Sequence, residues 1–179
     1  GERLLGCADG MLDMPVPQCA GWCVRDAVGH VGAVYGHKIT TLRLGRQPRP
    51  GEWALWPNDD VAADAVVDWC HSLLHDLAAE LRHGSASDVA WTWWPPDQTR
   101  GFWQRRMALE TAVHRADVES AVGELTPVSD DLAVDGVDEV LSVMLIDAGF
   151  DQPTSVEVAG ASATATIGSV RITGTPSDH

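Results

Sequence analysis

The chain has 179 residues, of which 45% are hydrophobic and 21% charged, a length and balance that fit one well-buried core or one main domain with a small appendage. Its formal net charge of −14, from 26 acidic and 12 basic residues, speaks against nucleic acid and against an anionic membrane surface, because both need cations to neutralise phosphate. No run approaches 18 apolar residues and the start of the chain has no signal-peptide pattern, so a cytoplasmic protein is expected.

In chain order, Leu4, Leu5, Ala8, Met11 and Leu12 recur at helical spacing and predict a short opening helix. Pro15 and Pro17 end it and force an extended loop. Cys19 and Cys23 in that loop are spaced C-x3-C, but no second pair completes a zinc knuckle. Together with Cys7 and Cys70 they read as reduced thiols. A second helix is expected from about Cys23 to Leu44, with the apolar line Val24, Ala27/Val28, Val31, Val34/Tyr35, Ile39, Leu42. Residues 45–58 carry Pro48, Pro50 and Pro57 and read as a loop.

A third helix is expected from Asp59 to His83, capped by Asn58 or Asp59, with Ala62, Ala65/Val66, Trp69, Leu73, Leu77 and Leu81 as its stripe. The stretch GSASDVAWTWWPPDQTRG (84–101) is looped and rich in Trp and Pro. Thr99 is placed to cap a fourth helix, Arg100 to Val122, which ends at Gly123 in the usual C′ position. Its core stripe is expected to be Phe102, Leu109, Val113 and Ala116. Ser129, Asp130 and Asp131 start a fifth helix that ends at Gly149, with Val134, Val137, Val140/Leu141 and Met144/Leu145 on one face. The remainder alternates as two or three short strands. The fold expected is mainly α: a four-helix bundle over 1–125, then a short α+β region over 126–179.

Within LETAVHRADVESAV (109–122), Glu110, His114 and Asp117 fall at i, i+4 and i+7 and share one side of the helix. Trp103 and Ala121 bound that line, where a solvent face would carry further charges. Composition alone yields about 0.3 Glu-x3-His pairs in such a chain, so an exposed or simply hydrogen-bonded pair is the competing reading. A third ligand decides, because three side chains with open positions are the usual catalytic arrangement. His30, on the edge line Ala27, His30, Val34, His37 of the second helix, is the best placed. His37 lies two turns further on and suits a pocket wall or the surface. His71 and His75 stand opposite the Trp69/Leu73/Leu77 side of their helix and are expected to be solvated.

The order LDMPVPQCAGWCVRDAVGHVGAVYGH, then VAWTWWPPDQTRGFWQRRMALETAVHRADVESAVG, resembles the mycothiol-dependent maleylpyruvate isomerase family, an actinobacterial branch of the DinB-like metal-binding bundles, over roughly residues 1–150. The resemblance implies a four-helix bundle holding one divalent metal, usually zinc, on positions matching His30, Glu110 and His114. The sequence departs from the family pattern where Leu109 precedes Glu110, where Ala116 precedes Asp117 and where Cys23 follows the Trp at the second-helix start. Its region after Gly149 is about half the length of the family's C-terminal domain.

With Zn²⁺ so held, a mycothiol-like thiol would be activated as thiolate for an electrophilic small molecule, by cis–trans isomerisation or by S-transfer. Asp117 is placed to orient His114, and Trp91, Trp93, Trp94 and Trp103 to wall the substrate pocket. A non-catalytic metal- or ligand-binding bundle is the alternative, and either a monomer or a homodimer is compatible.

Overall fold

The computed structural model describes residues 1–53 and 65–147, together with the backbone of 155–159, 162–167 and 170–174. The described chain is mainly helical: α1 (Glu2–Ala8), α2 (Val24–Leu44), α3 (Ala65–Arg82), α4 (Arg100–Val122), α5 (Asp130–Glu139), a π turn (Val140–Met144) and α6 (Leu145–Asp147). It separates into two compact units, Gly1–Pro127 and Val128–His179.

In the first unit, α2 packs on both α3 and α4, and α1 packs on α4 and α3. The core is formed by Leu4, Leu5 and Ala8 of α1, Val24, Val28, Val31, Tyr35 and Ile39 of α2, Val66, Cys70 and Leu77 of α3, and Met107 and Val118 of α4. The α2 stripe expected from the sequence is therefore the one that is buried. The N-cap expected at Asn58 or Asp59, and the residues up to Asp64, lie outside the described residues.

The starts of α2 and α4 have a visible cause. At α2 the thiol of Cys23 is a weak cap, and the carboxylate of Asp26 compensates by accepting the Cys23 backbone N–H at 2.8 Å. The loop before it turns back so that the N–H groups of Val24 and Arg25 reach the carbonyls of Met14 and Leu12, both at 2.9 Å. Two donors that a helix start leaves open are thus satisfied by the loop itself. At α4 the Thr99 hydroxyl accepts from Phe102 N–H at 3.3 Å, and Gly123 closes the helix at φ 76°, a left-handed conformation that favours glycine.

Two apolar faces differ from the sequence expectation. In α4, Val113 is 58% exposed and Ala116 is half-buried, while Trp103, Met107, Asp117, Val118 and Glu119 are buried beside Phe102 and Leu109. The inward line of α4 thus runs through its polar residues, and an apolar stripe taken as the guide rotates the helix the wrong way. In the second unit, Val134 and Val140 are exposed, while Leu141 packs with Val137 and Leu145. The π turn after Glu139 spends more residues per turn than an α-helix and so resets the face. Strands β1 (Ser155–Ala159), β2 (Ser162–Ile167) and β3 (Val170–Gly174) pair antiparallel in that order. Gly149 and the residues between the strands lie outside the described residues.

A candidate metal centre between two helices

His30 stands on α2 and Glu110, His114 and Asp117 on successive turns of α4, so the packing of α2 against α4 decides whether they meet. They do: one ligand atom each from His30, Glu110 and His114 lies within 4.8 Å of the others. Glu110 Oε1 is 3.4 Å from His30 Nε2 and 3.3 Å from His114 Nε2. Two ligands held tetrahedrally at about 2.0–2.1 Å from a zinc ion are about 3.4 Å apart, so the spacing is that of edges of such a shell. The imidazole rings of His30 and His114 meet edge to face, with centroids 4.8 Å apart.

Neighbouring groups set the roles of these atoms. Arg106, one turn before Glu110, binds Glu110 Oε2 and leaves Oε1 to the two histidines. Asp117 Oδ2 lies 2.9 Å from His114 Nδ1. A proton on Nδ1 donated to that carboxylate leaves the Nε2 lone pair free. Burial alone would push the Glu110 carboxyl up, but hydrogen bonds from His114 and His30 and the Arg106 charge outweigh it and hold the group well below the usual carboxylate range. For His114, burial disfavours the imidazolium, and the hydrogen bonds and charges of Glu110 and Asp117 overcome that and raise its pKa. The Glu110 carboxylate therefore stays charged between the two imidazoles. Glu110 and His114 are 13% and 14% exposed and His30 is 39% exposed, so one edge opens to solvent.

Of the four tryptophans expected to form the pocket wall, Trp103 is fully buried and donates its Nε1–H to the Trp91 carbonyl at 2.8 Å. Trp93 packs edge-on against both Phe102 and Trp103. Trp94 is half-buried, and its carbonyl accepts from Gln98 Nε2 at 2.9 Å in the knot that fixes this loop. Trp93 and Trp103 face Lys38, whose ammonium lies 5.5 and 4.9 Å from their ring centroids. Burial pushes the Lys38 pKa down to about 8, while the Glu110 charge pulls it up. The indole that packs on the histidines is a different one, Trp22, tilted 5.3 Å from His30 and stacked 6.5 Å from His114.

Trp22, Arg106 and Lys38 were not among the residues expected at the site. Arg106 had a local signal, since it precedes Glu110 by four on the same helix. Trp22 and Lys38 had none, because their approach depends on how the loop before α2 folds and on how α2 crosses α4. His37 stands two turns beyond His30 on α2, with its ring edge-on to Trp53 at 4.8 Å.

The model of the mycothiol maleylpyruvate isomerase N-terminal domain matches residues 2–119. The chain belongs to that family. The match runs from α1 through most of α4 and so includes all of His30, Glu110, His114 and Asp117. Membership makes this a mycothiol-related domain built on a helical bundle. No curated protein and no solved structure matches the chain. Among the described residues no helix is long and apolar enough to cross a membrane.

Proposed function

We propose that His30, Glu110 and His114 hold a divalent metal, zinc by donor chemistry, and that the protein uses it to direct a mycothiol-like thiol at an electrophilic small molecule, as a cis–trans isomerase or a thiol S-transferase. The observation that carries this reading is the convergence of two imidazole Nε2 atoms on one oxygen of Glu110, at 3.4 and 3.3 Å. Two nitrogens and one carboxylate oxygen are a donor set found in three-ligand zinc sites that leave a position open. Bound zinc supplies one thing here, a lowered thiol pKa that gives thiolate near neutral pH.

The chain's own residues do the rest. Arg106 fixes the Glu110 carboxylate by its second oxygen, and Asp117 holds the His114 ring in the tautomer that presents Nε2. Trp22 covers the two imidazoles and keeps water from that side, which strengthens every charge interaction within. The half-open His30 edge is the side from which a thiol enters. Lys38, held over Trp93 and Trp103 near Glu110, supplies a positive charge suited to an anionic group of thiol or substrate.

The test is zinc content after chelator stripping and reloading, for the wild type and for His30→Ala, Glu110→Gln and His114→Ala. Each variant is expected to bind one equivalent less than the wild type, and retention of the full content places the metal elsewhere. The reloaded protein is then assayed with mycothiol and either a cis-olefinic acid or an alkylating electrophile. Geometric isomerisation identifies an isomerase, a stable thioether a transferase, and neither product a binding protein.

A further inference from the structure

Outside the triad a second group of side chains is arranged to hold a metal. Glu2 of α1 and His71 and His75 of α3 bring one ligand atom each within 4.8 Å of the others. His71 and His75 are one helical turn apart, and their rings meet edge to face at 4.5 Å between centroids. Glu2 divides its oxygens between them: Oε2 is 3.2 Å from His71 Nε2 and Oε1 is 3.4 Å from His75 Nε2. Both rings present the same nitrogen to one carboxylate, and the spacings again match the edges of a shell with bonds of about 2.0–2.1 Å.

The groove on one side of the cluster is acidic. The groove beside the cluster is lined by Glu2, Asp9, Asp68 and His71 with small and apolar residues, and no Lys or Arg lines it. Imidazole with carboxylate suits zinc, copper, nickel or cobalt, whereas calcium and magnesium want oxygen alone. We propose that Glu2, His71 and His75 form a second, solvent-facing site for a divalent first-row transition metal, which clips α1 to α3.

The three side chains are 67%, 46% and 64% exposed in that order. Water competes for the ligands, and the site is weaker than the triad and the first to empty on dialysis. Its effect is mechanical, since a bound ion joins the seven-residue helix α1 to the longer α3.

Equilibrium dialysis of the full chain against zinc distinguishes the two sites. The wild type is expected to bind one equivalent more than His71→Ala/His75→Ala. The His30→Ala/His114→Ala protein is expected to keep the equivalent that the first pair of substitutions removes. Glu2→Gln is expected to weaken that equivalent by about tenfold or more, since even a supporting partner of a ligand is worth 10–100-fold. Because these side chains are exposed, the variants fold, which circular dichroism checks. A His71→Ala/His75→Ala protein with the wild-type zinc content and affinity overturns the proposal. Failure of the triad assignment appears separately, as an undiminished content in the His30→Ala/His114→Ala protein.

Discussion

At His114 the two ring nitrogens have separate tasks: Nδ1 faces Asp117 at 2.9 Å and Nε2 faces Glu110 at 3.3 Å. Asp117→Asn keeps the shape but removes the charge that fixes the tautomer, and is expected to weaken zinc binding by about 10–100-fold, read by competition with a chromophoric chelator. An affinity equal to the wild type would make Asp117 a bystander. His37 carries a different prediction. Burial, with a smaller effect from Lys38, pushes its pKa down to about 4. Between pH 6.5 and 4 the unfolded chain therefore takes up a proton that the folded chain refuses. The stability from this residue is complete above pH 6.5 and is lost as the pH falls through that window. Urea unfolding at several pH values is expected to show a shallower acid slope in His37→Leu. At this scale, Glu110, His114 and Asp117 were legible because their relation is set by one helix, and His30 because it edges an apolar stripe. Trp22 and Lys38 were not, since no local spacing ties them to α4.

The helices were legible as elements wherever caps and stops are local. Thr99 and Gly123 bracket α4 at the expected residues, and α2 begins one residue beyond Cys23 despite its poor cap. Asp26→Ala removes the carboxylate that holds the Cys23 N–H and is expected to cost about 1 kcal/mol in chemical unfolding. The face of α4 was not legible. A candidate site set within the core makes the inward line polar, and Val113 is left outside. Patterns of burial fail where chemistry displaces packing. The contact of α2 with α3 turns on Gly32, where an added Cβ would come within 2.2 Å of the Trp69 ring. Gly32→Ala is expected to destabilise by about 1–3 kcal/mol through overpacking. Since Gly32 is two residues from His30, zinc affinity is expected to fall with it. Unchanged stability would mean that Trp69 moves aside freely.

Across the first unit, one buried acid joins the ends of the fold. Glu119 is fully buried, with Arg3 Nε of α1 at 2.6 Å and the N–H of Thr126 at 2.7 Å. Burial alone would raise its pKa, but the Thr126 hydroxyl and N–H and the Arg3 guanidinium lower it further than burial raises it. Glu119→Ala leaves the Thr126 N–H and Arg3 without their acceptor and is expected to cost about 2–4 kcal/mol in thermal or urea unfolding. A change within about 0.5 kcal/mol would show that the clip is dispensable. No local pattern points to Glu119, because its partners come from α1 and from the turn after α4. The bundle that these contacts close is what brings α2 and α4 together at the triad. Cobalt-substituted protein titrated with mycothiol reads out whether a thiol binds a metal held by His30, Glu110 and His114. A sulfur-to-cobalt charge-transfer band is predicted, saturating at one thiol per chain, kept in His71→Ala/His75→Ala and lost in His30→Ala and His114→Ala. No band in the wild type, or an undiminished band in the His30 and His114 variants, would contradict it.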